Sequence, residues 1–112
     1  IMAGLCCGEP CTIAWEIMES YAKHFVSMSD YVTAKGMRVL GNPLPGDEPI
    51  VSGESGASCF GLVVEALQDK ELAWLKEQLG LNAESKILCI STEGDTDKAN
   101  YRSIVWDGAY HK

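Results

Sequence analysis

The chain has 112 residues, 46% of them hydrophobic and 22% charged, which is typical of one globular domain with its own core. A formal charge of −7 and a pI near 4.7 argue against nucleic acid as a partner, because binding phosphates requires clustered lysine and arginine. No apolar run approaches the roughly 20 residues that span a bilayer, and the first residues carry no signal-peptide pattern. We therefore expect a soluble, cytoplasmic protein that binds neither nucleic acid nor membrane.

The chain contains five cysteines, an odd number that leaves at least one thiol unpaired. Such a count in mixed surroundings favours a reducing compartment over a secreted disulfide scaffold. Cys6, Cys7 and Cys11 form a cluster, but a zinc site normally needs a second ligand pair at regular spacing, which this sequence lacks. We predict no metal site.

Apolar residues recur at helical spacing along most of the chain, and short uninterrupted apolar runs are typical of strands. The predicted elements are a strand at 1–5, a helix from Thr12 (its possible cap) through Phe25, a short strand at Val26, a helix from Asp30 toward Leu40, a loop at 41–53, a helix from Ala57 to Leu67, a helix from Asp69 that ends before Gly80, a strand at 86–90 and a helix from Asp97 to Trp106. Interleaved helices and strands indicate an α/β fold with a parallel sheet. Because the opening strand has no initiator methionine or polar lead-in, we expect the chain to begin inside a larger domain.

Three polar segments are the places where chemistry is most expected. Ligands of α/β sheets bind beyond the carboxyl ends of strands, which singles out residues 4–10 and 91–97. A third segment, 52–57, leads into a helix with two glycines that permit close approach of the backbone.

Each segment also has a plainer interpretation. Ser52 or Ser55 could be only a helix cap, and Glu54 could only be favoured by the positive end of the helix dipole. Ser91 and Thr92 could only satisfy backbone groups at a strand end. The residues alone therefore predict an α/β domain with polar loops at the strand ends and leave the function open.

Five blocks of sequence carry a more specific signal: AGLCCGEP at 3–10, KGMRVLGNPL at 35–44, SGESGA at 52–57, ISTEGDTD at 90–97 and YRSIVWDG at 101–108. In this order they resemble the C-terminal portion of the diaminopropionate ammonia-lyase family, fold-type-II enzymes that depend on pyridoxal 5′-phosphate (PLP). The resemblance implies part of a three-layer domain similar to the tryptophan synthase beta chain. It also implies a homodimeric enzyme that eliminates ammonia from 2,3-diaminopropionate, giving pyruvate and two ammonia. A related serine or threonine dehydratase and a non-catalytic interaction module derived from this fold are the alternatives.

The same resemblance implies where the cofactor would bind. In this fold type a hydroxyl typically faces the pyridine nitrogen, and this role falls to Ser91, with Thr92 as the neighbouring alternative. Glu54 would lie near the cofactor ring, and Gly4 would let the backbone approach it. The family's PLP lysine, phosphate cradle and general-base acids match nothing in this chain and are expected upstream. Residues 1–112 alone are therefore expected to be inactive.

Overall fold

The computed structural model describes residues 1–112 and is built from helices joined by irregular segments. The α-helices are α1, Thr12–Tyr21; α2, Asp30–Gly41; α3, Ser58–Gln68; α4, Ala73–Gln78; and α5, Lys98–Val105, and two 3-10 helices lie at Ala3–Leu5 and Lys70–Leu72. α2 packs against both α3 and α5, and α4 packs against α3. None of the helices has both the length and the apolar character needed to cross a bilayer.

The core lies where α2, α5 and the turn before α3 meet. Ala34, Met37, Ala57 and Ile104 are fully buried there and form one hydrophobic cluster. The Arg38 guanidinium in α2 ties the same elements together, since its Nη1 donates to the carbonyls of Ile104 at 3.1 Å and Ala109 at 3.0 Å. This packed centre holds the start of α3 in a fixed position.

Two glycines let the backbones of α2 and α3 touch. A Cβ atom added to Gly36 would lie 2.6 Å from the carbonyl oxygen of Ala57 and 2.9 Å from the Cα of Gly61. Real Cβ atoms do not approach other atoms so closely, so any larger residue would push the helices apart. The crossing of α2 and α3 therefore depends on the absence of a side chain at Gly36.

The helices predicted from Asp30, from Ala57, from Asp69 and from Asp97 all form, within a few residues of the expected bounds. Asp97 caps α5, because its Oδ1 accepts the N–H of Asn100 at 2.9 Å. Gly80, with φ +66°, takes the left-handed conformation that commonly ends a helix. The prediction for α1 was partly wrong: the helix ends at Tyr21, and Thr12 lies inside it without making a capping hydrogen bond.

The three predicted strands are absent. Residues 1–5 contain a 3-10 helix, and Val26 and residues 86–90 have no regular secondary structure. A strand exists only with a neighbouring strand that completes its hydrogen-bond ladder, and no segment of this chain provides one. The apolar run at 86–90 is expected from the sequence to be buried, yet Leu88 is 86% exposed. The predicted parallel sheet is therefore not confirmed.

The apolar face predicted for the first helix is exposed as well. Ile13, Ile17 and Tyr21 of α1 and the following Phe25 are all more than half exposed. Exposed apolar residues are ordinary when scattered, but a contiguous set of this kind normally marks a contact surface. The buried hydrophobic residues of this chain therefore lie in and around α2, α3, α4 and α5, and α1 contributes none.

Candidate cofactor site

A cavity of about 540 Å³ lies where the three predicted polar segments meet. Its wall includes Gly4 from the first segment, Ser55 and Gly56 from the second, and Thr92 and Glu93 from the third. Segments far apart in the sequence therefore converge on one site. Glu93 is the only charged residue in this wall.

Glu93 fastens the 91–97 segment to the turn before α3. Its Oε2 accepts the backbone N–H of Ser55 at 2.6 Å and, more weakly, that of Gly56 at 3.4 Å. Its own carbonyl accepts the N–H of Gly53 at 2.9 Å. The carboxylate thus satisfies N–H groups next to the positive end of α3, where negative charge is favoured. Glu93 was not among the residues predicted to form the site.

Ser91 lies beside the cavity and is paired with Ser52. Their Oγ atoms are 2.7 Å apart, and Ser52 is fully buried whereas Ser91 is exposed. The hydroxyl of Thr92 makes no hydrogen bond within the protein and Thr92 forms part of the cavity wall. Both predicted hydroxyls are thus at the site. That of Ser91 is hydrogen-bonded to Ser52, and that of Thr92 has no hydrogen-bond partner in the protein.

Glycines allow the segments to come this close. A Cβ on Gly56 would lie 2.6 Å from Oγ of Ser91, and a Cβ on Gly4 would lie 2.8 Å from Oγ of Ser55. A Cβ on Gly53 would meet the Glu93 side chain at 2.7 Å. The glycines predicted to allow close backbone approach therefore have neighbours that exclude a side chain.

Glu54 belongs to the same turn but its side chain leaves the cavity. It is 9% exposed, its carboxylate accepts a hydrogen bond from the Asn100 amide of α5, and its carbonyl accepts one from the Thr33 hydroxyl of α2. The wall of the cavity does not include it. In this structure Glu54 joins the turn to the helical core.

Two groups near this region have shifted pKa values. Burial raises the pKa of the Cys89 thiol, and the nearby Cys59 adds to the shift. Burial, with a smaller contribution from the charge of Asp95, raises the pKa of the Tyr101 hydroxyl. Both groups are therefore held in their neutral forms at neutral pH. All five cysteines are free thiols.

The cavity suits the ring of a PLP group better than its phosphate. Hydroxyls at Ser91 and Thr92 can hydrogen-bond a heterocyclic nitrogen. Gly94 in the wall has no atom within 4 Å of the position a Cβ would take, which leaves open space for a flat ring. A phosphate would need free N–H groups or a cation. The N–H groups of Ser55 and Gly56 are taken by Glu93, and no lysine or arginine lines the cavity.

One segment of a solved lyase superposes on 98–99% of this chain, with TM-scores of 0.91–0.93 and 49% sequence identity. That lyase is diaminopropionate ammonia-lyase from Escherichia coli. One of its structures (TM-score 0.93) is in complex with an aminoacrylate-PLP azomethine reaction intermediate, and this chain covers 29% of it; another (0.91) is in complex with D-serine, and 28% of it is covered.

Curated sequences give the same result. Diaminopropionate ammonia-lyase of Escherichia coli strain K12 is 49% identical over 110 residues, which is 98% of this chain and 28% of the relative. The enzyme of Salmonella typhimurium strain LT2 is 47% identical over 109 residues, 96% of this chain and 27% of the relative. The chain thus spans about 28% of the length of the curated relatives it matches. No protein-family model matches it. The resemblance predicted from the five blocks is confirmed.

Proposed function

We propose that the polypeptide to which this chain belongs is a PLP-dependent ammonia-lyase that converts 2,3-diaminopropionate into pyruvate and two ammonia. The observation that carries the proposal is the 49% identity over 98% of this chain to diaminopropionate ammonia-lyases, together with a TM-score of 0.93 to a structure that holds a PLP-bound reaction intermediate. PLP, when bound, supplies the electron sink for the elimination. This chain would contribute one wall of the site.

In this proposal Ser91 hydrogen-bonds the pyridine nitrogen of the cofactor, and Thr92 is the alternative partner. The hydroxyl pair of Ser91 with buried Ser52, next to the cavity, supports Ser91. The free hydroxyl of Thr92 in the cavity wall supports the alternative. Gly4 also lies in the wall, which supports its proposed position beside the ring. The direction of the Glu54 side chain favours a supporting contact over direct contact with the ring.

We further propose that the rest of the polypeptide carries the PLP lysine, the phosphate cradle and the general-base acids, so that residues 1–112 alone are inactive. In the complete domain the apolar run 86–90 would join a parallel sheet and the exposed face of α1 would be covered. The exposure of Leu88 and Ile13, at 86% and 81%, supports this arrangement, because such residues are stabilised by burial. A cytoplasmic homodimer is the proposed state of the whole enzyme.

The direct test is turnover by the complete polypeptide loaded with PLP. We expect pyruvate and two equivalents of ammonia from 2,3-diaminopropionate, and much slower turnover of serine and threonine. Faster turnover of a hydroxy amino acid would instead identify a dehydratase, an alternative with some support because a relative is known in complex with D-serine. Failure to bind PLP, with residues 1–112 behaving as a monodisperse protein that melts cooperatively, would favour the interaction module.

For the cofactor contact, Ser91→Ala and Thr92→Val can be compared in the complete enzyme. We expect Ser91→Ala to weaken PLP binding or change the visible spectrum of the bound cofactor, and Thr92→Val to leave both closer to those of the unmodified enzyme. The reverse order would assign the contact to Thr92.

A further inference from the structure

The direction of the hydrogen bond between Ser52 and Ser91 follows from their burial. Ser52 is fully buried, so its O–H group must find an acceptor inside the protein. Oγ of Ser91 lies 2.7 Å away, whereas the other acceptor in reach, the carbonyl of Gly53, is 3.5 Å away and beyond the usual O–H···O limit of about 3.0 Å. Ser52 is therefore the donor and Ser91 the acceptor.

This direction determines where the Ser91 proton points. Its only other acceptor in the protein is the carbonyl of Glu93, again at 3.5 Å, and Ser91 is exposed. The Ser91 O–H group is therefore free to donate outward. A hydroxyl that already accepts a hydrogen bond is polarised and becomes a better donor. Accepting from Ser52 leaves the Ser91 proton free and polarises it, which favours donation by Ser91 toward a ligand.

Gly56 shows that the surroundings are shaped for this pair. A Cβ at this position would lie 2.6 Å from Oγ of Ser91 and 2.8 Å from Oγ of Ser52. Any side chain at Gly56 would have to displace at least one of the two hydroxyls. Gly56 also lines the cavity, so the pair lies directly beside the site.

We propose that Ser52 is a positioning residue that, by donating to Ser91, makes Ser91 a hydrogen-bond donor to the pyridine nitrogen and keeps that nitrogen unprotonated. An unprotonated pyridine nitrogen can only accept a hydrogen bond, whereas a protonated one must donate. The inference rests on the proposed function, which assigns Ser91 to this nitrogen. Loss of the Ser52 hydroxyl would remove this polarisation and make Ser91 a weaker donor, which favours the protonated ring.

The test uses the complete polypeptide loaded with PLP that is 15N-labelled at the pyridine nitrogen. The 15N chemical shift reports protonation of that nitrogen independently of activity. We expect the unmodified enzyme to give the shift of an unprotonated, hydrogen-bonded nitrogen, and Ser52→Ala to move it toward the value of a protonated pyridine, with a higher pH midpoint for its titration. An unmodified enzyme with a protonated nitrogen, or a Ser52→Ala shift and midpoint equal to those of the unmodified enzyme, would overturn the proposal.

Two further variants separate the possible failures. Thr33→Val removes another fully buried hydroxyl, which donates to the Glu54 carbonyl, does not contact Ser91 and lies outside the cavity wall; it should leave the 15N shift unchanged. Ser52→Cys keeps a donor at this position, a weaker one on a larger atom, and should give an intermediate shift; it replaces Ser52→Ala as the deciding variant if the latter does not fold. If Ser91→Ala leaves the 15N shift unchanged, the assignment of Ser91 to the nitrogen fails. If only Ser91→Ala changes it, the role of Ser52 fails and the proposed function stands.

Discussion

The Glu93 carboxylate accepts the backbone N–H of Ser55 at 2.6 Å and so closes the turn before α3. Glu93→Ala would leave this N–H without a protein partner and should lower the free energy of unfolding by about 1–2 kcal/mol, the usual contribution of a hydrogen bond to a charged group that solvent partly screens. Glu93→Gln should lose less, because its amide oxygen can still accept.

Urea denaturation of the complete polypeptide measures this difference. The control is Glu48→Ala, since Glu48 is exposed and its side chain makes no hydrogen bond. Equal losses from Glu93→Ala and Glu48→Ala would show that Glu93 does not fasten the two segments.

The close contact of α2 and α3 gives a second prediction. Gly36→Ala should lower the free energy of unfolding by about 1–3 kcal/mol, because the added methyl group collides with the Ala57 carbonyl and overpacking forces the helices apart. Gly8→Ala adds the same methyl group where no atom lies within 4 Å, and should change stability little. The midpoints of thermal unfolding of the two variants provide the comparison, and a Gly36→Ala protein as stable as Gly8→Ala would refute the tight crossing.

Lys35 and Glu65 form an ion pair that links α2 to α3. Nζ of Lys35 lies 2.5 Å from Oε1 of Glu65, and Glu65 is 3% exposed while Lys35 is partly exposed. Lys35→Met would leave a nearly buried carboxylate without its partner, with an expected loss of about 1–3 kcal/mol after allowance for solvent at the lysine. The double variant with Glu65→Leu should recover part of this loss in denaturant unfolding. No recovery would mean that the loss comes from the lysine stem and not from the unpaired charge.

The ion pair of Asp69 and Lys112 predicts a dependence of stability on pH. The hydrogen bond from Lys112, followed by that from the Glu71 N–H, lowers the pKa of Asp69 below its usual 3.8. Its contribution is therefore complete above that ordinary value and is lost as the pH falls through the lowered value. The same hydrogen bond raises the pKa of Lys112 above 10.5, so the lysine contribution is complete below 10.5 and is lost as the pH rises through the raised value.

Thermal melts of the unmodified and Lys112→Met proteins from neutral to acidic pH test this. The difference between their midpoints should be constant near neutral pH and disappear below the lowered pKa of Asp69. A difference that is independent of acid would mean that the pair does not form in solution.

The helices could be predicted from sequence because their signals are local. Asp97 caps the residues that follow it, Gly80 ends the helix that precedes it, and helical spacing places the apolar side chains of one turn above another. The strands could not be predicted correctly. The apolar run 86–90 indicates only that these side chains favour burial, whereas a strand also needs a neighbouring strand, which this chain does not supply.

The features of the site also fall into local ones that the sequence predicts and long-range ones that it does not. The segments 52–57 and 91–97 could be selected from their glycines and hydroxyls, which are local features. The pairing of Ser52 with Ser91, 39 positions apart, and the bonds from Glu93 to Ser55 depend on how α2, α3 and α5 pack. No spacing rule in the sequence relates such distant residues.

Glu93 is attached to the turn before α3 by both its carbonyl and its carboxylate, and this double attachment favours the binding of a ligand in the cavity. A loop held at two points loses little conformational entropy when a ring settles against it, since its backbone is already confined before binding. More of the contact energy between ring and wall would then appear as binding free energy. The wall formed by residues 92–94 is therefore preorganised, since its shape exists without a ligand.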